Sequence, residues 1–344
     1  MTNQLERVRL TLEEREEQLS RFAARSRHSR GRQRPEESCP LRLEFQRDRD
    51  RILHCNSFRR LKHKTQVFVA PVGDHYVTRL THTLEVSQIA RTISRALNLN
   101  EDLTEAISLA HDLGHTPFGH IGEEVLNDLS PRGFRHNEQS LRIVELLENN
   151  GRGLNLTWEV RDGILNHSKT RVIEIMGENW GKSGSLEGEV CKISDAVAYI
   201  NHDIDDAIRA GIITETDLPA EATALLGHSR SERINSLVSD IVISSFELRL
   251  PAVSSQPAVK MSDPVREAAR RLHEFLYENV YQYSSQQPDA AQARQTVKSL
   301  YLYFSRHAEK LPVEYNDPER QVVDYIASMT DNYALREART LHLI

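Results

Sequence analysis

The stretch His111-Asp112-Leu113-Gly114-His115-Thr116-Pro117-Phe118-Gly119-His120-Ile121-Gly122-Glu123 is the densest run of chemistry-bearing residues in the chain. An adjacent imidazole and carboxylate at a helix end can both turn toward one cation. Gly114 stands where a glycine would end that helix, and Thr116-Pro117 reads as the N-cap and first position of the next. His120 and Glu123 are three apart and so share a face. Helical periodicity continues outward on both sides, and alternating runs are few. The spacing therefore predicts an all-α protein.

Upstream, the pattern predicts helices over 4–24, 43–65, 79–97 and 99–112. In 79–97, Leu84, Ile89, Ile93 and Leu97 fall near one face. Asn98 and Glu101 resemble a capping box for 99–112. Residues 67–78 are the best strand or hairpin candidate, with a Gly73-Asp74 turn. Six arginines lie between Arg21 and Arg34. The stretch 25–40 has no apolar face, and reads either as a mobile linker or as an arm that orders on phosphate groups or a neighbouring subunit. Downstream, helices are expected at 117–129, 137–149, 157–166, 187–210, 231–247, 262–281, 289–309 and 318–337, with loops at 168–188 and 249–261. The organisation is a charged N-terminal helix and arm (1–42), a site-bearing core (43–248) and a helical C-terminal extension packed on it (249–344).

With 344 residues, 39% hydrophobic and 27% charged, the composition is that of a globular protein that needs no covalent staples. No window approaches the roughly 20 apolar residues of a membrane helix, and Met1–Glu6 carries no signal-peptide core. Cys39, Cys55 and Cys191 are too widely spaced for a disulfide framework or a zinc ribbon. The cytoplasm is the expected compartment. A net charge of -6 argues against coating nucleic acid but allows a local basic groove.

Fifteen histidines are present and eight lie between His54 and His136, which points to a site. Two further helices can complete it. One carries Arg79-Leu80-Thr81-His82. The other carries Asp195, Tyr199 and Asp203 at steps of four, beside an apolar stripe of Val190, Ile193, Val197, Ile200, Ile204 and Ile208. A carboxylate beside a buried stripe must be paired or bound to metal. His82, His111, Asp112 and Asp195 form a set of two imidazoles and two carboxylates. That set suits one borderline-to-hard divalent ion (Mn, Mg, Fe, Co or Ni) with open positions, not a closed thiolate zinc site. His63, His75, His167 and His202 read as structural or peripheral, with His167 able to line a cavity. Cys191 reads as buried.

His82, the His111-Asp112 doublet and Asp195 reproduce the pattern of the HD superfamily of phosphohydrolases. The longer motif His-Asp-Leu-Gly-His-Thr-Pro-Phe-Gly-His at 111–120 is flanked by Phe-Arg-Arg-Leu-Lys-His-Lys-Thr-Gln-Val-Phe at 58–68 and Phe-Arg-His-Asn-Glu-Gln-Ser at 134–140. With Tyr-Ile-Asn-His-Asp-Ile-Asp-Asp at 199–206 and Asp-Tyr-Ile-Ala-Ser-Met-Thr-Asp at 324–331, it resembles the deoxyguanosinetriphosphate triphosphohydrolase-like family over about residues 25–337. The resemblance implies an HD-domain helical bundle that cleaves a dNTP at the α-phosphate to a deoxynucleoside and inorganic triphosphate. It implies His82, His111, Asp112 and Asp195 as metal ligands, and His120, oriented by Glu123, as the catalytic histidine. It puts His115 and Arg79 at the phosphates, His136 in the same pocket, and Gln66, Tyr199 and Asp203 around the deoxyribose. It also implies a homo-oligomer, tetramer or hexamer. Two departures stand out. Ala196 occupies the place of a phosphate-binding lysine in the more distant mammalian relative, which leaves that task to Arg59, Arg60, Lys62 or Lys64. Asn332 stands where the resemblance leads one to expect arginine. The alternatives are another HD-type hydrolase (a 5′-nucleotidase or signalling-nucleotide hydrolase), or a nucleotide sensor or single-stranded nucleic-acid binder. The long motif and the Asp195/Tyr199/Asp203 ladder favour the triphosphohydrolase over the first, and the intact ligand set with His120 favours it over the second.

Overall fold

The computed structural model describes residues 2–68, 76–168, 183–250, 257–311 and 317–344. The chain opens with α1 (Thr2–Glu16), α2 (Glu44–His54) and the short α3 (Asn56–Arg60). Next come the site-bearing helices α4 (Arg79–Leu97), α5 (Glu101–Ala110) and α6 (His120–Leu129). α7 (His136–Arg142) runs through a π-helical turn, Ile143–Leu147, into the one-turn α8 (Glu148–Gly151). α9 (Trp158–Asn166) and the 24-residue α10 (Leu186–Arg209) follow. Then come α11 (Ala220–Leu226), α12 (Arg230–Ser244), α13 (Asp263–Leu276) with a π-helical turn at Tyr277–Tyr281, and α14 (Gln282–Ser285). α15 (Pro288–Arg306), α16 (Pro318–Ala327) and α17 (Asp331–Thr340) close the chain. Among the described residues there is no strand, only the isolated bridges Arg32–Thr157 and Thr65–Thr78. The hairpin expected over 67–78 falls largely on 69–75, outside the described residues. No described helix is long and apolar enough to cross a membrane.

Two apolar cores organise the helices. α10 lies at the centre of the first, its stripe Val190, Ile193, Val197, Ile200 and Ile204 buried against Val86, Ile89, Ile93 and Leu97 of α4 and against α5, α9, α12 and α13. Each such fully buried aliphatic side chain contributes about 1.5–3 kcal/mol. The second core joins Phe118, Leu126 and Phe134 to α15, α16 and α17, so the C-terminal helices sit directly on the loop and helix that follow the His-Asp doublet.

Local expectations shift where tertiary contacts intervene. Leu84 is exposed, because the buried face of α4 runs through Val86, Ile89, Ala90 and Ile93. Asn98 does not cap α5. It ends α4 in a left-handed turn (φ 59°), and Asn100 caps α5 by accepting from the Leu103 N–H at 3.1 Å. α6 begins at His120 rather than Pro117, and Thr116 donates to the Gly119 carbonyl at 2.8 Å. Gly114 lies beyond the end of α5, where a Cβ would meet the Ser140 nitrogen at 2.2 Å, so this glycine lets α7 approach the site. The helix expected over 318–337 breaks at 328–330, where Thr330 caps α17. α11 was not foreseen.

The arginine-rich arm is held on the chain itself rather than left as a free linker. Arg32 pairs with Asp48 and with Glu44 at 2.6 Å, Arg27 pairs with Glu13 at 3.0 Å, and Arg30 lies 3.6 Å over the Trp158 ring. The arm orders on the chain's own carboxylates and one aromatic face.

Candidate active site

α4, α5 and α10 bring His82, His111, Asp112 and Asp195 together, with His82, Asp112 and Asp195 lining the floor of one cavity and His111 buried beside them. The His82 Nε2 atom lies 3.1 Å from Asp195 and 3.7 Å from Asp112. The His111 Nε2 atom lies 3.4 Å from Asp112 and 3.8 Å from Asp195. His82, His111 and Asp112 offer ligand atoms all within 4.8 Å of one another, and Asp195 reaches both imidazoles. Ligands that share one cation at about 2.0–2.2 Å stand at roughly such separations. The donor chemistry also fits. The His111 Nδ1–H donates to the Ser108 carbonyl at 2.7 Å, which leaves Nε2 as the bare nitrogen. That atom is buried and has no hydrogen-bond partner, as a ligand atom should be.

Burial opposes ionisation of both carboxyls, but the neighbouring charges outweigh it. His111, His115 and Arg79 hold Asp112 well below the usual carboxylate range. The adjacent His82 and His111 rings bring Asp195 to about 2. Both stay anionic and able to bind a cation.

Arg79, at the start of α4 and 1% exposed, donates to Asp112 at 2.8 Å. Its Nε and Nη2 atoms are buried without partners, an expensive arrangement that an anion would satisfy. His115 stacks on His136 with ring centroids 4.0 Å apart. Glu123 accepts from the His136 backbone N–H at 2.8 Å and from its ring Nδ1 at 2.9 Å, and lies 3.4 Å from the His120 Nδ1. Glu123 thus holds His136 more firmly than His120, whose side chain is 57% exposed at the cavity.

His167, which the sequence left able to line a cavity, lines this one. Burial, with His111 and His136 beside it, pushes its pKa down to about 3, and its Nδ1–H donates to the Ile164 carbonyl. Its bare Nε2 then accepts from the His136 Nε2–H at 3.2 Å. With Glu123 on one side and His167 on the other, His136 donates from both nitrogens, which is the imidazolium form. Its pKa is raised accordingly, Glu123 overcoming the effect of burial.

Opposite shifts in Glu123 and His136 make the pair a stability element with a defined pH window. His136 and His120 hold the Glu123 pKa well below its ordinary value against the effect of burial. The Glu123 contribution is therefore full above about pH 4.5 and is lost as pH falls through the lowered value. The contribution of His136 is full below about pH 6.5 and is lost as pH rises through its raised value. Urea unfolding with excess chelator should show the wild-type advantage over Glu123→Gln greatest between these limits and shrinking on either side. A difference that does not change with pH would contradict this assignment.

The cavity measures about 1390 Å³. Gln66 and Tyr199 line it, and the Gln66 Oε1 atom is buried without a partner. Asp203 is fully buried behind the wall, 2.7 Å from His202 and accepting from the Tyr281 hydroxyl at 2.6 Å. Arg59, Arg60, Lys62 and Lys64, the cations expected to replace the missing lysine, do not line the cavity. Lys64 is buried, and donates to the His115 carbonyl and, at 2.8 Å, to that of Ala327. Burial and Arg60 push its pKa down to about 7. The lining arginines are Arg79, Arg135 and Arg294. His273, Tyr277 and Tyr281 from the C-terminal region complete the wall. Sequence reading missed these residues because they carry no motif.

A helical bundle with this His-His-Asp-Asp set defines a member of the HD class. The HD domain model matches residues 79–200, and the phosphohydrolase-associated domain model matches 259–340. The chain belongs to the deoxyguanosinetriphosphate triphosphohydrolase-like family. It is 55% identical to the deoxyguanosinetriphosphate triphosphohydrolase-like protein of Caldanaerobacter subterraneus subsp. tengcongensis, covering 94% of this chain and 92% of the relative. It is 46% identical to the protein of the same description from Desulfatibacillum aliphaticivorans, covering 95% and 96%. A solved structure of a hypothetical protein from Aquifex aeolicus is 19% identical, with a TM-score of 0.46, over 85% of this chain and 67% of that one.

Proposed function

We propose that the chain is a metal-dependent dNTP triphosphohydrolase, which adds water at the α-phosphate of dGTP or several dNTPs and releases a deoxynucleoside and intact inorganic triphosphate. The observation that carries this reading is the convergence of the His82/His111/Asp112/Asp195 set, three of whose members line the cavity, with the unpaired buried donors of Arg79. The names of the relatives supply the nucleotide class.

One divalent ion on that set would supply Lewis-acid polarisation of the α-phosphoryl group. Around it, the free Nε and Nη2 of Arg79 and the His136 imidazolium hold phosphate oxygens and neutralise their charge, and Arg135 and Arg294 face the outer phosphates. This positioning and charge stabilisation provide much of the rate enhancement. His136 and Arg79 do the work of the cation that Ala196 cannot. His120 protonates the departing 5′-oxygen or positions the water. Gln66 and Tyr199 read the 3′-hydroxyl of the deoxyribose, with Asp203 behind them.

Phosphorus NMR of the first product tests the reaction. Triphosphate should appear in one step, with no build-up of dNMP or dNDP. Initial pyrophosphate or orthophosphate would overturn the reading. A sugar site built to read one hydroxyl also leaves an added 2′-hydroxyl crowded or unpaired. kcat/KM should therefore favour dGTP over GTP by at least about 10-fold, about 1.4 kcal/mol. Equal turnover of the two would remove the sugar role from Gln66, Tyr199 and Asp203.

A further inference from the structure

His82 has a second nitrogen, and it is not idle. Its Nδ1 lies 2.9 Å from the Nε2 of His202, a residue 120 positions away on α10. His202 is fully buried, and its own Nδ1 is 2.7 Å from an oxygen of Asp203. The other Asp203 oxygen accepts from the Tyr281 hydroxyl at 2.6 Å. The proton positions along this chain follow from chemistry. The His202 Nδ1 lies against the Asp203 carboxylate outside hydrogen-bond geometry, and the carboxylate's charge still favours the His202 proton on that nitrogen. The His202 Nε2 is then bare and accepts from the His82 Nδ1–H. That leaves the His82 Nε2 bare, directed at Asp112 and Asp195. His111 reaches the same state through the Ser108 carbonyl, whereas His82 has no backbone carbonyl in that role among its described partners.

We infer that His202 and Asp203 form a positioning relay that fixes the tautomer and ring orientation of His82 and ties this metal-site imidazole to Tyr281, on the cavity wall contributed by the C-terminal region. The inference rests on the metal-site reading above. It gives His202 a role and gives Asp203, behind the sugar-reading side chains, a second task in supporting His82 through His202. It also gives the C-terminal region a hold on the metal centre. A substrate contact with Tyr281 would be felt at His82 through three polar links.

The test is manganese affinity, measured by chelator competition on the full-length protein, beside thermal melting. His202→Phe removes the acceptor and should weaken manganese binding by roughly 10–100-fold, the scale of losing an outer-shell partner of a metal histidine. His202→Gln can place an amide oxygen where the Nε2 stood and should restore most of the affinity. Tyr281→Phe should weaken binding in the same direction by a smaller factor, and stands as the test if His202→Phe fails to fold. His111→Ala is the reference that loses the ion. If His111→Ala loses manganese while His202→Phe and Tyr281→Phe bind normally, the relay is wrong and the metal site stands. If His111→Ala also binds normally, the metal site falls and the relay with it. Equal weakening by His202→Phe and His202→Gln would show a packing requirement and would also overturn the relay.

Discussion

Alanine at His111 or at Asp195 is expected to remove the tightly held divalent ion and turnover together. His111 presents a buried, unpartnered Nε2, held in place by the Ser108 carbonyl behind it. Asp195 bridges toward both imidazoles, at 3.1 Å and 3.8 Å. Either change deletes one of four convergent donors, and activity should fall by at least on the order of 10²–10³-fold, the scale of losing one preorganised electrostatic contact. Asp112→Ala would be a less clean experiment. Arg79 pairs with that carboxylate at 2.8 Å, and its loss strands a buried guanidinium, which costs stability as well as metal. Elemental analysis should find roughly one transition ion per wild-type chain and little in either variant, and chelation should abolish turnover. Full activity in metal-free protein would refute the metal centre.

His120→Ala should behave differently, lowering turnover by roughly 10²-fold or more while leaving the metal content intact. The reason is positional. His120 opens α6 at the cavity, beside the His115 ring (centroids 5.4 Å apart), and is joined to Glu123 only by a long 3.4 Å contact. Its exposure leaves it free to swing onto a bound nucleotide. Glu123→Gln is a poorer probe of the same step, because it also releases His136. Metal analysis beside steady-state kinetics separates the roles. A His120→Ala protein that loses its ion, or one that turns over like wild type, would remove His120 from the chemistry.

The chain order of residues carries a good deal of this. The stripe on α10 and the run Ile89, Ile93, Leu97 on α4 are legible because a 3.6-residue period is a local property, and both stripes are buried. The His82, His111-Asp112, Asp195 pattern is legible for a related reason. Imidazole and carboxylate are few-purpose groups, and their place beside apolar stripes demands a partner. Helix ends were less legible. Asn98 and Asn100 are chemically alike, and only packing decides which of them ends one helix and which begins the next. Thr116-Pro117 has the composition of a helix start. Asp331 of α17 accepts from the Phe118 N–H at 2.8 Å, and Phe118 and Gly119 adopt positive φ there (62° and 58°), so the helix begins three residues later.

By itself, then, the sequence determined that the protein is helical, which faces are apolar, and which imidazoles and carboxylates need a partner. Only the tertiary structure decided what stands behind them: the unpaired nitrogens of Arg79, the imidazolium of His136 between Glu123 and His167, and the chain from His82 through His202 and Asp203 to Tyr281. The physical reason is range. Periodicity acts over a few residues, whereas a tautomer or a protonation state is set by atoms within about 3 Å in space, contributed here by helices up to 199 positions apart in the chain, as with His82 and Tyr281.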